Sequence, residues 1–126
     1  MYVADTHAWI YYLLNKLPAK SNSIFASVER GEDFIVVPTI ALSECIHLIE
    51  SKRITVTFED IFSRFEKGSN FLVVPLNFEI TKFLPSIKIK ELHDKIIVAT
   101  TKFISATLIT KDKDIIKSKL VNTVWN

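Results

Sequence analysis

Four short apolar runs constrain what this chain can fold into: residues 2–5, 34–37, 71–74 and 107–110, each followed by apolar residues at helical spacing. Phe34, Ile35, Val36 and Val37 follow one another without a polar break. That suits a strand covered on both faces, because a half-exposed strand alternates apolar with polar positions. Strands alternating with helices imply crossover connections, and crossovers imply a parallel sheet with helices packed against it. The expected fold is an α/β/α three-layer sandwich around a mostly parallel, about five-stranded sheet. Residues 121–125 are expected to supply the last strand.

The helices follow from the same pattern. Residues 6–17 place Ile10, Leu13, Leu14 and Leu17 on one face, and Leu17-Pro18 is expected to break that helix. A second helix at 20–30 is stopped by Gly31, and a third starts at Pro38-Thr39 with Leu42, Cys45, Ile46 and Ile49 inward. Residues 57–67 turn Phe58, Ile61, Phe62 and Phe65 to the core and end at Gly68. A short helix at 77–84 is closed by Pro85. The most apolar helix spans 92–104, and a last short one spans 113–119. No linker, repeat or low-complexity stretch divides the chain, so one domain over residues 1–126 is expected.

Composition removes several function classes. With 48% hydrophobic residues in 126, the chain suffices for one substantial core. Gly31 and Gly68 are the only glycines, so neither of the glycine-rich phosphate-binding motifs of nucleotide enzymes can be written. The lone Cys45 cannot form an internal disulfide, and the N-terminal stretch lacks a basic leader. No segment has the apolar length to span a bilayer. A cytoplasmic, membrane-free protein is the expectation. Charge is uneven: residues 1–63 carry net −3 and residues 64–126 carry net +5. Lys88, Lys90, Lys95, Lys111, Lys113, Lys117 and Lys119 fall close in sequence to Asp94 and Asp112, a grouping that would suit a polyanionic ligand.

Four acids stand where strands give way to helices or inside the helix that follows: Asp5, Glu44, Asp94 and Asp112. In a parallel sheet those positions share one edge, the edge at which such folds bind ligands. Gathering carboxylates is costly, since two of them about 6 Å apart repel by roughly 3 kcal/mol at an effective dielectric near 20. A fold that gathers four does so most readily around divalent metal. Each acid also has a plain reading. Asp5 and Asp112 suit helix N-caps, and Asp94 suits a cap that doubles as a ligand. Glu44 lies too deep in its helix to cap anything. Asp114, one turn further on, is expected to face solvent and is at most a fifth member. His7, His47 and His93 match no zinc spacing. His47 lies one turn beyond Glu44 and can reach it, although the plainer and favoured reading is a partly exposed polar residue, while His93 is a candidate for contacting substrate or holding the surroundings of Asp94.

The set resembles that of PIN-domain ribonucleases, and most closely the small VapC-type toxins of toxin–antitoxin pairs. The residues that carry the resemblance are Asp5-Thr6-His7-Ala8, Ser43-Glu44, His93-Asp94 with the apolar stretch 96–100, and Leu108-Ile109-Thr110-Lys111-Asp112. They span nearly the whole chain in order. The resemblance implies that Asp5, Glu44, Asp94 and Asp112 hold one or two Mg²⁺ or Mn²⁺, hard cations that prefer oxygen ligands. It also implies metal-assisted hydrolysis of RNA, single-stranded or structured, that leaves 5′-phosphate and 3′-hydroxyl ends. Thr6 and Thr110 would orient the carboxylates or bind phosphate. A cognate antitoxin and a homodimer are implied as partners. Trp9, Tyr11 and Tyr12 would then stack on RNA bases or receive the antitoxin, against the plainer reading that they are core. Two alternatives compete: a non-catalytic PIN-like module that binds RNA or protein, and another acidic-pocket α/β phosphohydrolase. A receiver domain would need paired acids after its first strand, and an aspartyl-phosphate hydrolase would need Asp-x-Asp, where this chain has Asp5-Thr6-His7.

Overall fold

Five strands, β1 (Tyr2–Ala4), β2 (Ile35–Pro38), β3 (Phe71–Val74), β4 (Thr107–Ile109) and β5 (Thr123–Val124), form one sheet in the order β3-β2-β1-β4-β5. Every neighbouring pair is parallel, with Val3 in register with Val36 on one side and with Leu108 on the other. All five carboxyl ends therefore lie at one edge. The chain builds outward from β1 to β3 and then returns past β1 to lay down β4 and β5. The switch point falls between the ends of β1 and β4, where a crevice opens in folds of this class.

The computed structural model describes residues 1–67 and 70–126. Among these, seven α-helices cover the sheet: α1 (Thr6–Leu13), α2 (Ala19–Glu29), α3 (Thr39–Glu50), α4 (Phe58–Glu66), α5 (Phe78–Thr81), α6 (Leu92–Phe103) and α7 (Lys113–Ser118). The arrangement is the expected α/β/α sandwich. Val3, Ala4, Ile35, Val37, Leu108 and Ile109 are fully buried, as strands flanked on both faces require. Beside this aliphatic centre lies an aromatic cluster. Trp9 meets Tyr12, Phe25, Phe65 and Phe71 edge-on at centroid separations of 5.3–5.7 Å, the geometry that aligns ring edges with ring faces. Trp9 and Tyr12 are thus core residues rather than a stacking surface. Tyr11 is partly exposed and packs on Trp125.

Several boundaries differ from the sequence reading, each for a local reason. Helix α1 ends at Leu13 instead of running to Leu17, because Asn15 takes the left-handed conformation and turns the chain. Strand β3 is an edge strand, so Leu72 and Val73 are exposed in place of the expected burial on both faces. On α4 only Ile61 is buried and Phe65 packs on the core, while Phe58 and Phe62 face outward. Pro85 lies within a 3-10 turn at Leu84–Ser86 instead of closing a single helix at 77–84. The terminal strand is only two residues long. The expectation that Gly68 closes α4 falls outside the described residues.

Candidate active site

The register of β1 against β4 builds the centre of the site. Ala4 pairs with Ile109, so Asp5 and Thr110 emerge side by side at the carboxyl edge. Asp5 is buried and each of its carboxylate oxygens accepts one hydrogen bond. Oδ1 caps α1 by accepting from the Ala8 N–H at 2.8 Å, and Oδ2 accepts from the Thr110 hydroxyl. The same Thr110 oxygen accepts from the Asp112 N–H at 3.0 Å, and Asp112 caps α7 through the Ile115 N–H at 2.9 Å. One threonine hydroxyl therefore fixes the positions of two acids from adjacent strand ends.

Glu44 arrives from the neighbouring layer. Helix α3 packs against α1, and at its second turn Glu44 Oε1 accepts from the Thr6 hydroxyl at 2.7 Å. Its other oxygen lies 3.3 Å from His93 Nδ1, which is also 3.2 Å from Glu91. Helix α6 leads into β4 and so points its first turn at the same edge, which carries Asp94 in. Here the cap is Glu91, whose carboxylate accepts from the Asp94 N–H at 2.8 Å. Asp94 itself caps nothing. Glutamate is an uncommon cap, so Glu91 gave no signal in the sequence, although it borders the pocket. His47 is exposed, and Glu44 is engaged by Thr6 and His93 instead.

Asp5, Glu44, Glu91, Asp94 and Asp112 line one pocket of about 320 Å³ together with Thr6 and His7. No lysine or arginine lines it. The electrostatic consequence falls on Asp94. Desolvation, then the charges of Asp112, Glu91, Asp5 and Glu44, push its carboxyl up to about 6. Asp5 is also held above its ordinary value, by burial that outweighs its hydrogen bonds from Thr110 and Ala8. The same influences reach Cys45, whose thiol is pushed up to about 12 by burial and by Glu44 and Asp5, leaving it inert. Asp114 is exposed and borders a neighbouring cavity with Lys88, Lys90, Glu91 and Asp94. Lys111 is drawn to Tyr11 at 2.6 Å.

Among the described residues, no three Asp, Glu, His or Cys side chains converge closely enough to enclose an ion as they stand. The hydrogen bonds account for this: Asp5, Glu44 and Asp112 each spend oxygens on nearby donors. A carboxylate keeps about four acceptor sites, so one or two such bonds leave capacity for a cation. The carboxylate and hydroxyl donors are all oxygen, the excess charge is negative and partly desolvated, and among the described residues no lysine or arginine lines the pocket. Those are the properties that a hard divalent cation fits.

A family model described as PIN domain matches residues 2–119. No curated protein gives a significant sequence match. Among solved structures, the chain is similar to one in VapBC2 from Rickettsia felis bound to a DNA fragment from the promoter, at 14% identity and TM-score 0.74, covering 99% of this chain and 98% of that one. It is similar also to a chain of a toxin–antitoxin complex from Klebsiella pneumoniae, at 19% identity and TM-score 0.64, covering 96% and 95%. A chain of FitAcB from Neisseria gonorrhoeae matches at 19% identity and TM-score 0.65, covering 100% and 97%. At these identities the shared property is the fold.

Proposed function

Since the chain belongs to the PIN-domain family, we propose that it is a metal-dependent endoribonuclease and the toxin of a toxin–antitoxin pair. The observation that carries this reading is the convergence of Asp5, Glu44, Asp94 and Asp112, from four separate elements, on one pocket without lysine or arginine at the sheet's switch point. A fold that spends stability on four crowded carboxylates needs a counter-charge, and the donor set fits Mg²⁺ or Mn²⁺. Bound there, such an ion supplies Lewis-acid polarisation of a phosphoryl oxygen and an activated water.

The chain's own residues supply the rest. Thr110 holds Asp5 and the Asp112 backbone in fixed relation, and Thr6 does the same for Glu44. These hydroxyls keep the carboxylates aimed before substrate arrives, which lowers the reorganisation required at the moment of reaction. Asp94, whose carboxyl is pushed up by desolvation and by its acidic neighbours, is the member whose charge a bound cation would relieve most. The products would be 5′-phosphate and 3′-hydroxyl ends.

Support for partners comes from the comparisons and the surface. The similar structures include toxin–antitoxin complexes. Phe58, Phe62, Leu72 and Val73 expose large apolar side chains on α4 and on the β3 edge, which pack against each other. An antitoxin segment or a second copy of the chain would cover such a surface. The nuclease reading is tested with single-stranded RNA in Mn²⁺ or Mg²⁺. Wild type should cleave and EDTA should stop it. Asp94→Asn should lose at least about a hundredfold in rate, the scale of removing a group that acts at the transition state. Equal cleavage by Asp94→Asn, or cleavage indifferent to EDTA, would remove the reading.

A further inference from the structure

Beside the acidic pocket lies a second cavity of about 450 Å³ that shares Thr6, His7 and Glu44 with it. Its wall is one stripe of α3. Ile40, Ser43, Glu44, His47 and Leu48 fall at the spacing that puts residues on a single helix face, while Ala41 and Cys45 on the other side are buried in the core. Ile40 and Leu48 give the cavity an apolar part, and His7, His47, His93 and Arg53 line it as well.

Arg53 follows the left-handed turn that ends α3. After α3 the chain reverses through Lys52, which sits at φ 60°. The Arg53 N–H then bonds back to the Leu48 carbonyl at 3.0 Å and the Lys52 N–H to the Ile49 carbonyl at 2.9 Å. That pattern closes the helix and folds Arg53 back over its last turn. A residue with a Cβ at this position carries a conformational cost, so the placement of Arg53 is fixed by the backbone.

We propose that this cavity seats the base of the nucleotide next to the scissile phosphate, with His47 and Arg53 as the positioning residues that grip it. The inference rests on the nuclease reading of the adjoining acids. Flat cationic or neutral rings beside apolar side chains complement a nucleobase, which offers a π-face for stacking, and the guanidinium also pairs with the phosphate that follows. The cavity shares Thr6, His7 and Glu44 with the acidic pocket, so a base seated in it lies beside the acids. The acidic pocket also shares Glu91 and Asp94 with a further cavity, which Lys88, Lys90 and Asp114 border.

The test uses fluorescence anisotropy of a short single-stranded RNA on the Asp94→Asn protein, which reads binding whether or not wild type cuts. Adding Arg53→Ala with His47→Ala should weaken binding about tenfold, the scale of one lost stacked base. Removing the same kind of charge at Lys102, in the last turn of α6 and so at the other end of the helix that carries Asp94, by Lys102→Ala, should change it less than twofold. An oligonucleotide with abasic sites should bind Asp94→Asn more weakly than intact RNA does and should lose less than intact RNA when Arg53 and His47 are replaced, because only the phosphate contact remains to be lost. In wild-type background the two alanines should raise KM about tenfold and leave kcat within about twofold. Both residues are exposed, and an unchanged melting temperature would confirm that the variants fold. Unchanged RNA binding and KM would overturn the proposal and leave the cavity to a protein partner's side chain. Weakening that is equal for abasic and intact RNA would also overturn it, since it would reduce Arg53 to a phosphate contact. Loss of wild-type cleavage with the binding differences intact would instead remove the nuclease reading alone.

Discussion

Asp94 carries a charge that nothing in the pocket balances. Asp5 and Asp112 are repaid by the N–H groups they cap and Glu44 by Thr6, whereas Asp94 receives the repulsion of all three and of Glu91. Neutralising it should therefore stabilise the metal-free protein. Asp94→Asn should raise the melting temperature in EDTA at pH 7 by roughly 2–4 °C, a shift of the size that a fraction of a kcal/mol to about 1 kcal/mol produces in a domain of this length. Asp5→Asn should give no such gain, because an amide cannot accept from both Ala8 and Thr110 in the way the carboxylate does. A thermal melt of the two variants checks both statements, and a fall for Asp94→Asn would contradict them. The position of these acids after strands and inside helices was legible in the sequence, as were the capping roles of Asp5 and Asp112. The cap of α6 was not. Glu91 outcompetes Asp94 for that role by reaching back with a longer side chain, a choice that residue preferences at caps do not register.

Four helices end in the same way. After α1, α2, α3 and α6 the chain passes through Asn15, Gly31, Lys52 and Ser105 in the left-handed region, and the next N–H bonds back to the carbonyl five residues earlier. Glycine meets that conformation without a Cβ penalty, and asparagine tolerates it. The chain's two glycines leave Lys52 and Ser105 to bear it. Lys52→Gly and Ser105→Gly should each stabilise the fold by about 0.5–1 kcal/mol, part of the left-handed cost being offset by the freer unfolded chain. Urea titration would show a higher midpoint at constant slope. A lower midpoint for both would mean that these turns are held by side-chain contacts instead. This repeated ending also explains which element boundaries could be read in advance. Gly31 announces its turn, and α2 stops where expected. Asn15 does not compete visibly with the apolar Leu17 beyond it, so α1 was read one turn too long. Strand β3 misled for a related reason. Its composition is that of a buried strand, but its place at the end of the sheet order, which composition does not encode, exposes Leu72 and Val73.

At the scale of the whole molecule, the fold holds carboxylates that bind protons more tightly than the unfolded chain does. Asp94 is raised from 3.8 to about 6, and burial raises Asp5 as well. Where a folded carboxyl sits above its unfolded value, protonation favours the folded state. The contribution of Asp94 to stability in EDTA should then be fully present below the ordinary carboxylate range and be lost as pH rises through about 6. The exposed Glu32 and the partly exposed Asp33 give the opposite slope at lower pH, being held below their ordinary values by Arg30 and by the Phe34 N–H respectively. Most acid-sensitive proteins show the reverse slope, because their carboxylates are paired. A divalent cation that binds only the folded site acts against the decline, since its ligands must be ionised and its stabilisation grows with occupancy, about 2.7 kcal/mol at a hundred times the dissociation constant. Melting temperatures from pH 4 to 7.5 should therefore fall in EDTA and hold or rise in excess Mn²⁺, the two curves separating above about pH 6. Asp94→Asn should flatten the EDTA curve and bring the Mn²⁺ curve down toward it. Curves for wild type that superimpose with and without Mn²⁺ would show that the crowded acids bind no metal, and their cost to the fold would then have no chemical return.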